Sequence, residues 1–392
     1  MIFFAELQMQ GEKHLNVNSG VLEILAKTYP EQNICVYSDD LHAKYLKLKV
    51  DKLSNITFES YKYTGEKELK KKYTLSKIFR EAYSSIKLFK LGKNKNIKLI
   101  VFASAFPFTA ILLNILSSIF RIKILICLHG DIGVLKLNRI KPTTIFFKAA
   151  IKYFLYNRKK GVSLIIFGES IKSELIRFLP KMKKHDILCI DHPYDYNDKF
   201  EKRLKVISNT FVFANIGAGI LNKNSHFIFK LAQNFKKEIA LKEINFKIVG
   251  KISPQVLSYD NGLVSINTSS QFITFKEFEN EIIIADYFIY FFTHNSIYDL
   301  CPSGTFFDAI KYEKPIIALK NPFFEYYFDR LGNIGYLCED IDEMTLAIRK
   351  IIAGENHLPE QIKNLQAAKN TLSIDTIASS FKNQLEGLTN EQ

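Results

Sequence analysis

The sequence lacks the marks of several protein classes. Its five cysteines, Cys35, Cys127, Cys189, Cys301 and Cys338, are odd in number and scattered. They predict free thiols in a reducing compartment rather than a disulfide framework. The eight histidines show no paired ligand spacing, so no bound metal or other cofactor is expected. No zinc-finger spacing or aromatic RNA-binding signature is present, which argues against nucleic acid as a partner. The opening MIFFAELQMQGEKHLNVNSG has no basic n-region and only a short apolar run, so it does not read as a signal peptide. A cytoplasmic location is the expectation.

Acidic residues are scarce in one half. Residues 1–205 carry 37 Lys and Arg against 19 Asp and Glu, a net of +18, whereas the remainder carries 17 against 21. Lys70, Lys71 and Lys72, then Arg158, Lys159 and Lys160, then Lys181, Lys183 and Lys184 are the dense points. Close to apolar segments, they suit a face resting on anionic lipid, at the inner side of the cell membrane; solvated charge is the plainer reading. Residues 75–89 space Leu75, Ile78, Phe79, Ala82, Tyr83, Ile86 and Phe89 for one face of a basic amphipathic helix. Residues 99–120 contain no charge, but Pro107 and the break at Arg121 divide the run into strand, helix and strand rather than a membrane span.

What is present is the rhythm of doubly wound α/β domains. The 392 residues and 47% apolar content allow two cores. Apolar strand candidates at 2–7, 34–37, 99–103, 124–128, 162–167 and 187–190 alternate with helical patterns, and residues 191–208 lose apolar periodicity. The expected domains are therefore 1–205 and 206–392, the last helix being a candidate to pack back on the first. Loops at the carboxyl ends of strands hold the polar candidates. His14, Asn16, Asn18 and Ser19 fall in the first such loop, and His129, Gly130 and Asp131 follow a strand end where glycine permits a tight turn. Each set can equally serve its own turn or cap. In the second half, Gly217-Ala218-Gly219 follows a strand, with Lys223 next and Lys251 at the end of the following strand. A lone Gly-x-Gly is weak evidence for phosphate binding. Asp342 reads as a helix cap rather than part of a metal motif.

The most informative stretch is residues 298–319, YDLCPSGTFFDAIKYEKPIIAL. A strand candidate runs into a polar loop. Ser303, Gly304 and Thr305 then offer a capping hydroxyl and room for a ligand at a helix start, and Pro315 opens a new strand. Such a start favours an anion by roughly 0.3 to 1 kcal/mol at the surface, too little to hold a diphosphate alone, so cations must converge from elsewhere. An ordinary N-cap at Ser303 and a dipole-friendly acid at Asp308 fit the same residues.

This stretch, with its flanking elements, resembles the donor-binding half of GT-B glycosyltransferases of the broad family 4 kind. The resemblance is specific over residues 207–352 and only architectural before that. It implies two Rossmann-like domains facing across a cleft, and transfer of a sugar from a nucleotide-sugar donor to a cell-surface polysaccharide or lipid-linked glycan, with retention at the anomeric carbon. Ser303, Gly304 and Thr305 match the family's diphosphate loop, and Asp308 stands where its ribose acid, usually Glu, is found. Gly217, Gly219, Lys223, Lys251 and Tyr298 complete the implied donor side. The family's first acid would fall on Leu300; Asp299, one residue back, is the nearest carboxylate and the candidate catalytic acid. His129-Gly130 matches a His-Gly pair that faces the cleft, which makes His129 the second catalytic candidate and His14, Asn18, Gly130 and Asp131 acceptor-side candidates. A sugar-nucleotide epimerase and an inactive lipid- or polyanion-binding scaffold are the alternatives.

Overall fold

The computed structural model describes residues 1–61, 75–137, 141–182, 186–196, 210–266 and 275–390. They form two compact units, Met1–Asp195 with Leu300–Pro302 and Leu372–Gln392, and Tyr196–Asp299 with Ser303–Thr371. The expected boundary at 205 lies outside the described residues, as do the lysines at 70–72, 183 and 184 and the loop at 269–274, which the family resemblance would put near a nucleobase.

In the first unit, parallel strands β1 (Ile2–Glu6), β2 (Ile34–Asp39), β3 (Ile56–Tyr61), β4 (Leu99–Phe102), β5 (Lys123–Leu128), β6 (Val162–Phe167) and β7 (Ile187–Ile190) are ordered 3-2-1-4-5-6-7. Helices α1 (Leu15–Thr28), α2 (Asp40–Lys49), α3 (Leu75–Asn94), α4 (Pro107–Phe120), α5 (Pro142–Tyr156) and α6 (Glu169–Phe178) cover both faces. One core is built from the strands with Phe89, Leu113, Phe154 and Leu175 of α3 to α6; the other face packs Val21, Leu22 and Leu25 of α1. Central strands buried on both faces are predominantly apolar, which is why residues 2–5 of β1, all of β4 and residues 124–128 of β5 are legible as apolar runs. The edge strand β3, ITFESY, alternates and carries no such run, so neither it nor the short α2 before it stood out. The uncharged stretch 99–120 is β4 and α4, and among the described residues no helix is long and apolar enough to cross a membrane.

The second unit orders strands β8 (Phe211–Ile216), β9 (Ile244–Val249), β10 (Val264–Ile266), β11 (Tyr287–Tyr290), β12 (Ile316–Leu319) and β13 (Gly335–Cys338) as 10-9-8-11-12-13, again all parallel. Its helices are α7 (Phe227–Gln233), α8 (Lys236–Ala240), α9 (Pro254–Leu257), α10 (Phe275–Ile284), α11 (Gly304–Lys311), α12 (Pro322–Leu331), α13 (Ile341–Ile352) and α14 (Leu358–Thr371). Asn321 caps α12 through the amides of Phe323 and Phe324, at 2.9 and 3.0 Å, with Pro322 as the first helical residue. Asp340, not Asp342, caps α13, accepting from the amides of Asp342 and Glu343 at 2.9 Å each. A capping oxygen must precede the helix, and Asp342 already lies in the first turn.

The last helix, α15 (Ile374–Asn390), belongs to the first unit, where Ile374, Ile377, Ala378 and Phe381 pack in the core beside α1. Its Gln384 side chain accepts from the Cys189 amide at 2.8 Å and donates to the Cys189 carbonyl at 2.7 Å. That pairing covers the outer edge of β7, which would otherwise present an open strand edge.

Candidate functional site

In both sheets the strand order reverses beside the strand that opens the unit, and in open α/β sheets ligands bind outside the carboxyl ends of the strands at that switch point. In the second unit the switch lies between β8 and β11. The loop after β8 begins with Gly217, whose φ of +90° is left-handed backbone open to glycine. A Cβ there would stand 3.1 Å from Thr305 Cγ2 and 3.2 Å from Lys223 Nζ. Gly250, after β9, presses on it from the other side, because a Cβ at 250 would meet the Gly217 carbonyl oxygen at 2.3 Å. Two glycines thus let three loop segments close on one point.

The loop after β11 supplies the floor. Phe292 and Tyr298 stack at 4.1 Å between centroids with their planes only 6° apart, and Lys223 Nζ lies 6.0 Å from each ring centroid. Asn224, in the left-handed conformation, ties the Lys223 turn to this loop by donating to the Phe291 carbonyl at 3.0 Å and to Thr293 Oγ1 at 3.3 Å. These bonds fix the backbone of the Lys223 turn, from which the ammonium reaches the space beside Gly217.

Helix α11 points its first turn at the same place. Ser303 occupies the N-cap position and is buried, yet its hydroxyl makes no capping bond; it lies 3.2 Å from Thr305 Oγ1. The expected capping by Ser303 is thus replaced by a pair of hydroxyls. Gly304 is exposed, and a Cβ on it would meet nothing within 4 Å, so the space over this backbone is open. The Tyr290 hydroxyl donates to the Thr305 carbonyl at 2.6 Å, and burial pushes its ionisation well above the usual phenol range. Asp308, half-buried, sits one turn further along. The site joins left-handed backbone, an ammonium, two hydroxyls and a helix start, which is chemistry suited to a phosphorylated anion.

Three candidates are placed differently. Gly219 pairs with Ile252 in a parallel bridge, and a Cβ on it would press on Ile252 and Ile248 at 3.3 and 3.4 Å, so its smallness serves packing. Lys251 is exposed beside that bridge. Asp299 is buried, and its Oδ2 accepts from the Asn295 amide at 3.0 Å, closing the loop on itself.

The first unit gathers its histidines at the carboxyl edge of its sheet. His14 follows β1 with φ +57°, His129 follows β5, and His192 follows β7. The His129 and His192 Nε2 atoms are 3.3 Å apart, so one donates and the other accepts; the His14 ring lies 4.9 Å from that of His129, and Phe167 packs on both His129 and His192. Burial, then the neighbouring His192 and His14, hold His129 well below its ordinary range. Burial, then His14, pushes His192 down to about 3. Both rings are neutral at physiological pH, and neutral imidazole can exchange a proton with a hydroxyl. Gly130 follows with φ −106°, so the tight turn expected of it needs no glycine conformation; Asp131 opens a short 3-10 turn.

Asn18 is inside the unit. Helix α1 begins at Leu15, so Asn16, Asn18 and Ser19 are helical rather than loop residues. The Asn18 Nδ2 donates to Glu6 Oε2 at 3.0 Å and lies 2.9 Å from His42 Nε2, while His42 Nδ1 donates to the Gly11 carbonyl at 2.6 Å. Glu6, fully buried, also accepts from the amides of Gln8 and Met9 and from the Ser104 hydroxyl. This network shapes the loop that carries His14.

His192, Gly250, Phe292 and Tyr290 were missed in sequence. His192 falls in residues 191–208, where apolar periodicity is lost; its one sequence signal is position, a polar residue shortly after a strand. Arg158 corrects the other way. Its place in a basic cluster suits a charged surface, but it is only 3% exposed and donates to the carbonyls of Val162 and Asp186.

Two Rossmann-like units of these strand orders define the GT-B fold. The backbone is similar to that of HepE from Anabaena, solved in complex with UDP-glucose, at a TM-score of 0.65 over 98% of this chain and 99% of that one, with 15% identity. It is similar also to sucrose-phosphate synthase from Thermosynechococcus elongatus, at 0.63 over the full length of both chains with 13% identity, and to a glycosyltransferase from Rickettsia africae, at 0.60 over 99% and 98% with 14% identity. The sequence matches no family model and no curated protein.

Proposed function

We propose that this chain is a glycosyltransferase moving a sugar from a nucleotide-sugar donor to a polysaccharide or lipid-linked glycan acceptor. The observation that carries the reading is the meeting of Gly217, Lys223 and Thr305 at the switch point of the second sheet. In the proposed reaction the bond between the anomeric carbon and the diphosphate oxygen breaks, the electron pair leaving with the diphosphate. A bond to the acceptor oxygen forms, and the acceptor hydroxyl passes its proton to the departing diphosphate oxygen. The amides of Ser303 to Thr305, with the Lys223 ammonium, meet the charge that grows on the leaving diphosphate. Asp308 accepts from the ribose hydroxyls, and Tyr298, stacked on Phe292, walls the donor side. On the first unit His129 is the group assigned to the acceptor hydroxyl, with His14, Gly130 and Asp131 beside it. Asp299 acts through the loop it closes. Retention at the anomeric carbon is part of the proposal, supported by the likeness of residues 298–319 to family 4, and is read from the anomeric proton of the product.

The reading needs no metal, because helix amides and the Lys223 ammonium meet the diphosphate charge; chelation should leave turnover unchanged. The net +18 of residues 1–205 supports a working place at the inner, anionic face of the cell membrane. Calorimetric titration with UDP, GDP, CMP and their sugar conjugates is the direct test. UDP-sugars come first, since HepE was solved with one. Binding of none of them would overturn the proposal, and release of a sugar product only when an acceptor is added separates transfer from epimerisation.

A further inference from the structure

Helices α3, α4 and α5 lie side by side on one face of the first sheet. Each sends apolar side chains into the core, Phe89 from α3, Leu113 from α4 and Phe154 from α5. Each is also apolar on the side turned to solvent. Phe79 and Tyr83, one turn apart on α3, are 71% and 59% exposed; on α4 Ile119 is 67% exposed with Ile115 a turn before it; on α5 Phe146 and Tyr153, two turns apart, are 65% and 57% exposed. A single exposed apolar residue is ordinary, but stripes of them on three adjacent helices mark a contact surface.

Charge identifies what that surface meets. α4 has no charged residue, and α5 has only Lys148 and Lys152. α3 carries five cations and a single acid, Glu81. Glu81 is turned inward, 2% exposed, accepting from the Phe106 amide, Thr109 Oγ1 and Gln8 Nε2. Exposed Arg121, Lys141, Lys159 and Lys160 stand at the ends of α4 and α5. The outward face is therefore apolar and cationic, with no outward acid on these three helices. A second copy of the same face would bring like charges together. An anionic bilayer satisfies both features: apolar side chains enter the boundary between headgroups and acyl chains, and lysines reach the phosphates.

We propose that the outward face of α3 to α5 lies flat on an anionic phospholipid bilayer, with Ile119 of α4 and Phe146 of α5 inserted among the acyl chains. The inference deepens the membrane-side working place proposed above and adds insertion to charge attraction.

The chain contains no tryptophan, so one introduced tryptophan is a clean reporter. Ile119→Trp and Phe146→Trp should each emit at shorter wavelength, and be quenched by acyl-brominated lipid, when mixed with vesicles of phosphatidylcholine and phosphatidylglycerol. Leu241→Trp, at a position 70% exposed in the second unit, should do neither. Combined Ile119→Ser and Phe146→Ser should lower co-sedimentation with those vesicles by about 10-fold or more, while the melting temperature and the nucleotide titration stay unchanged, because both side chains are exposed. Co-sedimentation with unshifted emission from both introduced tryptophans would mean adhesion by charge alone and would overturn insertion. Absence of co-sedimentation at low salt would overturn the membrane partner itself, and a dimer lost in the double serine variant would replace it with a second copy. Nucleotide titration is read without vesicles, so failure of the donor-site reading and failure of this one are distinct results.

Discussion

The Tyr290 hydroxyl donates a 2.6 Å hydrogen bond to the Thr305 carbonyl, tying the first turn of α11 to the last residue of β11. Because Thr305 follows Gly304, over whose backbone the space is open, the bond anchors the helix start at that point. Tyr290→Phe keeps the buried ring and removes only the donor. It should cost about 1 to 3 kcal/mol, since the carbonyl loses its partner in a buried setting. Chemical denaturation measures the loss, and nucleotide affinity should fall with it as the α11 start loosens.

Asp308→Asn tests the ribose contact. The substitution keeps size and helix but replaces a charged acceptor by a neutral one, weakening charge-assisted hydrogen bonds worth about 1.5 to 3 kcal/mol. Nucleotide affinity should fall roughly 10- to 100-fold with the unliganded melting temperature little changed. Gly304→Val should abolish nucleotide binding and leave the fold intact, because the added side chain fills space that is empty and exposed. Calorimetric titration of both variants decides; unchanged affinity in both would place the donor site elsewhere.

Lys223 and Gly217 make a contrasting pair. Lys223→Met keeps an unbranched side chain but removes the ammonium, which lies 6.0 Å from the Phe292 and Tyr298 ring centroids. Affinity for a nucleoside diphosphate should drop at least 10-fold, whereas affinity for the bare nucleoside should not change. Gly217→Ala should instead lower stability, because its φ of +90° is strained for alanine and the new Cβ presses on Thr305 and Lys223. A thermal melt separates the two effects.

His129 and His192 predict an acid-sensitive first unit. Their folded pKa values lie below that of an unfolded histidine, about 6.5, so the unfolded chain binds more protons as pH falls below that value. Stability is therefore lost on acidification, by up to about 1.4 kcal/mol per pH unit for each histidine. Burial raises Glu81 to about 8, and a raised carboxyl group works in the opposite sense, with stability lost as pH rises between about 4.5 and 8. Comparing variants isolates the histidine part. His192→Asn should make the slope of stability against pH between 6 and 4 shallower by about one proton. An unchanged slope would show that His192 takes up its proton in the folded protein.

The alternation of strands and helices was legible wherever burial on both faces favoured an apolar run, as in β1, β4, β5 and β12, and where Pro107 and Pro315 marked element starts. Local chemistry marks Ser303 to Thr305 as a helix start open to an anion, whereas Lys223 and Gly217 enter the donor side only through the family resemblance. Contacts between residues far apart in the chain were not legible. Gly217 meets Thr305, Asn18 meets Glu6 and His42, and His192 meets His129 only through the strand order, which brings loops from distant segments to one sheet edge. Which way a side chain faces was likewise decided by packing. A helical stripe of apolar residues announces one buried face, but α3 to α5 are apolar on two, and only their seating on the sheet determined which one entered the core and which was left to solvent.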